Sequence, residues 1–158
     1  MALAVVKDAA LIYAKGLGLR DVEKNLPVTP STLFAAGSTT KAFTSASLGI
    51  LVDAGILDLD KPALFYDKDF ALASDVATQT VTLRDFLLHR SGLPRHELAH
   101  YGTEYSEDLV YSRPCYLKIS APSQEVWQYS NLGFLSTVAL LLEVGIGAVP
   151  IINEKGHP

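Results

Sequence analysis

An α+β fold is predicted by three observations: two short apolar runs near the N-terminus that read as a hairpin, a proline-marked crossing after them, and two longer segments with apolar residues at helical spacing. At 158 residues the chain is long enough for one domain with a core, and 49% hydrophobic against 19% charged is a globular composition. The 13 basic and 17 acidic residues give a net charge of -4 and form no long runs, so no nucleic-acid or anionic-membrane footprint is expected. Cys115 is the single cysteine, which leaves no intrachain disulfide and no Cys-rich zinc site.

Residues 2–6 and 11–14 flank Lys7-Asp8-Ala9-Ala10 and predict a β-hairpin, although the turn carries no glycine. A lone hairpin is marginal in water, so a larger sheet is expected around it, yet few strand signals follow. Gly16 and Gly18 mark a bend or a close backbone approach. The opening apolar residues are interrupted at once by Lys7 and Asp8, which does not match the continuous core of a secretory signal, and no localisation is assigned. Pro27 and Pro30 in residues 24–31 mark the crossing from sheet to helices.

From Lys41 to Ala54, the residues Ala42, Phe43, Ala46, Ile50, Leu51 and Ala54 lie close to helical spacing and predict a mostly buried helix, closed by a left-handed Gly55. Residues 65–79 show no clear period. Thr82 is a good N-cap for a short helix over residues 83–88, with Asp85 near the positive end of its dipole, and Gly92 and Pro94 end that element. His89, His96 and His100 match no zinc spacing, so no metal is expected, and His89 reads as a structural hydrogen-bonder at a helix end. Residues 104–111 suggest a further short helix. Residues 132–143 predict a leucine- and alanine-rich core helix rather than a membrane span, because the apolar stretch contains Ser136, Thr137, Glu143, glycines and Pro150.

Two places carry possible chemistry. If a helix starts at or just before Ser38, Lys41 lies one turn on and on the same face, so a hydroxyl and an amine meet. An amine near helix N-terminal dipoles and out of water is pushed toward its neutral form, in which it accepts a serine proton. The plainer alternative is a serine N-cap beside a solvated lysine. Tyr129 and Asn131 are two apart, so in an extended or turning backbone a phenol and an amide face one space.

These stretches together resemble the serine β-lactamase and penicillin-binding-protein superfamily, in its class C-like branch with esterases and D-aminopeptidases. Ser38-Thr39-Thr40-Lys41 matches the Ser-x-x-Lys motif, and Tyr129-Ser130-Asn131 the Tyr-x-Asn motif. Between them, Leu87-Leu88-His89-Arg90-Ser91-Gly92-Leu93-Pro94 is similar to a structural segment of the family, as is the opening hairpin. The resemblance implies a β-lactamase/transpeptidase-like fold, here mainly its helical subdomain plus the hairpin, with the remaining strands missing. It implies one partial domain: a hairpin over residues 1–20, a helical region over 31–143 and a divergent tail over 144–158.

The resemblance further implies that Ser38 is the nucleophile forming an acyl-enzyme, that Lys41 activates it and that Tyr129 relays the proton. A phenol ordinarily ionises near pH ~10 and needs a nearby cation to serve as a base at neutral pH. Lys41 can be that cation, or act itself when neutral, and both assignments stay open. Asn131 would bind substrate; the competing reading is a turn-stabilising asparagine. The implied activity is hydrolysis of an ester, amide or β-lactam, small-molecule or peptide-like, without cofactor or metal. The family's third motif, on an edge strand that supplies one oxyanion donor, has no counterpart before Pro158, and both ends are expected to be truncated. The alternative expectation is therefore a catalytically incomplete fragment with at most ligand or partner binding, open to self-association through its incomplete sheet.

Overall fold

The computed structural model describes residues 1–96 and 112–146, so the helix expected over 104–111, His100 and the tail beyond 146 lie outside the described residues. The chain divides into two compact units, Met1–Ala36 and the residues from Gly37 onward.

In the first unit, β1 (Ala2–Lys7) and β2 (Ala10–Gly16) pair antiparallel, with Val5 opposite Tyr13 and a register shift between Val5 and Val6. The turn needs no glycine because Asp8 and Ala9 both take positive φ, 49° and 60°, which gives the twist that a two-residue hairpin requires. A second pair, β3 (Leu19–Asp21) with β4 (Leu26–Pro27), was not expected from the sequence. Its strands are too short for an alternating pattern to register. Gly16 is a close-approach glycine as anticipated: a Cβ there would sit 2.0 Å from the Val28 carbonyl oxygen. Among the described residues the two sheets have two strands each, and every residue of β1 is exposed.

In the second unit, a 3-10 turn over Gly37–Thr39 runs directly into α1 (Thr40–Asp53). The expectation that α1 is mostly buried is corrected. Its buried residues are Lys41, Thr44 and Leu48, whereas Phe43 and Ile50 are 66% and 68% exposed. The apolar residues spread around the helix instead of forming one stripe, so spacing alone did not identify the inward face. At the other end, Gly55 has φ 71°, its N–H donates to Val52 O (2.9 Å), and the Ile56 N–H donates to Leu51 O (3.0 Å). These are the paired bonds of a Schellman stop.

Residues 65–79, without a sequence period, contain two short helices, α2 (Ala63–Tyr66) and α3 (Asp75–Thr80). Helices of four to six residues are too short to display a period, but Ser74 caps α3 and Asp75 occupies its first turn, a signal that was available. Then follow α4 (Leu83–Leu87) and α5 (Asn131–Glu143). Leu132, Phe134, Val138, Leu140 and Leu141 of α5 are buried, and Gly133 brings its backbone against Phe86 of α4. Leu48, Phe86, Leu93, Leu140 and Leu141 belong to one core cluster. Among the described residues no helix is long and apolar enough to cross a membrane.

Asp85 ties this unit together from inside. Its side chain is fully buried and completes a capping box with Thr82, whose N–H and Oγ1 donate to Asp85 Oδ2 at 3.1 and 2.8 Å. Arg90 Nε donates to Asp85 Oδ1 (2.8 Å) and Gln124 Nε2 to Oδ2 (3.2 Å). One carboxylate thus holds the start of α4, the segment that follows α4 and the approach to α5.

Removing that carboxylate leaves its donors without their acceptor, so Asp85→Ala is expected to cost about 3 kcal/mol, read as a lower urea midpoint. Leu48→Ala, at a site with 0% exposure, should cost about 2–5 kcal/mol, whereas exposed Phe43→Ala should stay within about 0.5 kcal/mol in the same assay.

Candidate active site

The 3-10 turn that opens α1 holds Ser38, and the first helical turn holds Lys41. Thr39, not Ser38, occupies the N-cap position of α1, and it makes no side-chain capping bond, so the plain capping alternative does not describe this terminus. Instead Lys41 Nζ donates to Ser38 Oγ at 3.3 Å. Lys41 is only 8% exposed. A buried amine needs polar partners, and the second is Asn131 at the start of α5, whose Oδ1 accepts from Lys41 Nζ at 2.7 Å. The amine also lies 5.1 Å from the ring centroid of Tyr129 and 5.4 Å from that of Phe134, within cation–π range.

Tyr129 enters from the other side. Its Oη and Ser38 Oγ share a hydrogen bond of 2.5 Å. The four residues singled out from sequence are therefore brought together: hydroxyl, amine and phenol around one oxygen, with the amide steering the amine. The helix begins at Asn131, one residue earlier than the expected start at Leu132. Ser38 opens onto a cavity of about 720 Å³ also lined by Arg95, Trp127, Gln128, Tyr129 and Asn131. The Arg95 guanidinium lies 5.2 Å from the Tyr129 ring centroid.

The place of Tyr129 is set by a set of bonds between residues 89–94 and 120–130. His89 adopts φ 57° and its carbonyl accepts the Gln128 N–H at 2.7 Å; the next carbonyl, of Arg90, accepts the Gln124 N–H at 2.7 Å. The Gly92 carbonyl accepts the Ser120 N–H at 3.0 Å. Gly92 has φ 83°, and a Cβ there would meet the Ala121 carbonyl oxygen at 2.1 Å, so both the turn and the close approach require glycine. The side chain of His89 completes the arrangement: its Nδ1 accepts the Ser130 N–H at 3.2 Å. Burial holds the imidazole below its ordinary pKa, and the charge of Lys41 pushes the same way. His96, by contrast, pairs its Nε2 with the Lys118 carbonyl at 3.2 Å.

Sequence reading placed His89 correctly as a hydrogen-bonder but did not foresee its partner, nor Arg95 in the cavity wall, nor the Gln124–Asp85 bond. The Thr82-x-x-Asp85 spacing was the available sign of the capping box. Gln124 and Arg95 had no comparable signal, because each contact joins residues distant in the chain or depends on a turn.

The family model described as Beta-lactamase matches residues 1–144. The Unguisins hydrolase of Aspergillus campestris is 42% identical over 149 residues, covering 85% of this chain and 27% of that protein. The octameric penicillin-binding protein homologue from Pyrococcus abyssi superposes with a TM-score of 0.78 at 28% identity, over 94% of this chain and 35% of that one. The D-amino acid amidase of Ochrobactrum anthropi, in complex with L-phenylalanine, gives 0.68 at 26% identity, over 91% and 39%. The chain thus spans about a quarter to two fifths of the length of these relatives. The fold is β-lactamase/transpeptidase-like, and the chain belongs to the β-lactamase family.

Proposed function

We propose that this chain carries the nucleophile half of a serine hydrolase site, in which Ser38 attacks an ester, amide or β-lactam carbonyl. The observation that carries the reading is the convergence of Tyr129 Oη at 2.5 Å and Lys41 Nζ at 3.3 Å on Ser38 Oγ. An unassisted serine hydroxyl is a weak nucleophile and needs a base within hydrogen-bond reach. Two are present.

In the proposed sequence, Ser38 Oγ bonds to the carbonyl carbon while its proton passes to Tyr129 or Lys41. The tetrahedral adduct collapses, the carbon–nitrogen or carbon–oxygen bond breaks, and the same proton reaches the leaving atom. Water then attacks the acyl-serine, gives its proton to the same base and releases the acid, and the proton returns to Ser38 Oγ. With Lys41 protonated, Tyr129 serves as phenolate relay with the ammonium beside it; with Lys41 neutral, the amine serves directly. Asn131 holds the amine at 2.7 Å in either case, and its amide nitrogen is proposed to meet substrate. The name of one relative, an amidase, favours substrates with amide bonds.

A second reading starts from the same geometry, in which Ser38, Lys41, Tyr129 and Asn131 form a connected hydrogen-bonded group beside an open cavity. In it, the same residues bind ligand or a partner chain, with no turnover. The two separate in one experiment. A fluorophosphonate is expected to add a single label to the wild-type chain, Ser38→Ala to take none, and Tyr129→Phe to label about 10²–10⁴-fold more slowly. Labelling combined with hydrolysis of a neutral amino-acid amide supports the enzyme; a cooperatively folded wild type that stays unlabelled overturns it in favour of binding.

A further inference from the structure

We propose that His89 is a positioning residue: its neutral imidazole holds the 127–131 segment so that Tyr129 meets Ser38, and protonating it releases that segment. This rests on the reading of Ser38 as nucleophile only for its kinetic consequence.

The geometry is specific. His89 sits at φ 57°, a left-handed conformation in which histidine is enriched among the non-glycine residues. From there its ring packs against Tyr129, with centroids 4.5 Å apart at 38°, and against Phe134 at 5.3 Å, while the ring of Trp127 stands nearly perpendicular to it with centroids 6.0 Å apart. Nδ1 accepts the Ser130 N–H, so the neutral ring carries its proton on Nε2. Ser130 lies between Tyr129 and Asn131, the two residues that reach Ser38 and Lys41. Together with the bond from the Gln128 N–H to the His89 carbonyl, this side-chain bond holds the backbone from which both side chains project.

A proton on Nδ1 turns that acceptor into a donor facing another donor, and the bond is lost. The surrounding groups resist this charge. From α1, Lys41 faces the ring as a like charge. The 127–131 segment contributes the phenol of Tyr129, beside which Arg95 stacks. From α5 comes the uncharged ring of Phe134, and Asp85 of α4 is engaged by Arg90 and Gln124. Burial and Lys41 hold the folded pKa below the ordinary imidazole value. The sign follows: the unfolded chain binds the proton first, so the contribution of His89 is complete above about pH 6.5 and declines as pH falls toward the lowered value.

Asparagine isolates the role. It accepts positive φ, and its Oδ1 occupies the same place along the side chain as Nδ1, but it does not titrate. In the full chain, the Ser130 amide resonance and its hydrogen exchange are followed by NMR from about pH 8 to about pH 4, together with the rate of fluorophosphonate labelling. The wild-type Ser130 amide should shift and exchange faster as His89 gains its proton, with labelling falling through the same midpoint by at least about tenfold. His89→Asn should lose that acid step, whatever its labelling rate above about pH 7. His89→Leu, which has no acceptor, should label slowly at every pH.

A Ser130 amide that does not follow the His89 ring, or a His89→Asn profile that retains the wild-type step, overturns the proposal. A Ser130 amide that follows the ring in a chain that never labels supports the brace and removes the nucleophile reading instead. Thermal melts of both variants at each pH separate unfolding from release of the segment.

Discussion

The constraint on which the helical unit depends is the burial of one amine. Lys41 is 8% exposed, and an ammonium or amine out of water is tolerated only where oxygen atoms and ring faces replace its hydration. Ser38 Oγ and Asn131 Oδ1 supply the oxygens, Tyr129 and Phe134 the ring faces. These partners come from three places in the chain: the 3-10 turn ahead of α1, the segment before α5, and α5 itself. The register of α5 against α1 is therefore set by chemistry as well as by packing. Replacing such a lysine with an apolar residue is often neutral or stabilising, so its presence points to a use other than stability.

Holding those partners in register falls to segments with little regular structure. The residues between α4 and Pro94, and those from Ser120 to Ser130, form no named ladder, yet successive carbonyls of His89, Arg90 and Gly92 each accept an N–H from the facing segment. The pairing is anchored from within by Asp85 and at its tip by His89. Within this pairing His89 and Gln124 both take positive φ, as Asp8, Ala9, Asn25 and His96 do elsewhere in the chain.

Legibility in the sequence followed the range of the interactions. Local signals were read well: the hairpin from its two short apolar runs, the Gly55 stop, the Thr82 cap and the core helix ending at Glu143. The spacing of Ser38 to Lys41 and of Tyr129 to Asn131 was also local, and each pair shares a side, as the periods of helix and extended chain require. The short elements β3, β4, α2 and α3 were missed, because they are shorter than any period that could reveal them. The inward face of α1 was misjudged because Phe43 and Ile50 are apolar but exposed, and sequence does not say which apolar residues face outward. The contacts of Gln124 and His89 join parts of the chain about 40 residues apart, and no local pattern encodes them.

If Lys41 is kept in the interior for chemistry, its loss should separate activity from folding. The direct measurement is the fluorophosphonate labelling rate of Lys41→Met, taken on protein whose cooperative melt has been recorded. The account predicts a folded variant with a melting midpoint close to that of the wild type and labelling slowed at least about 10²-fold. A folded Lys41→Met chain that labels at the wild-type rate would contradict it.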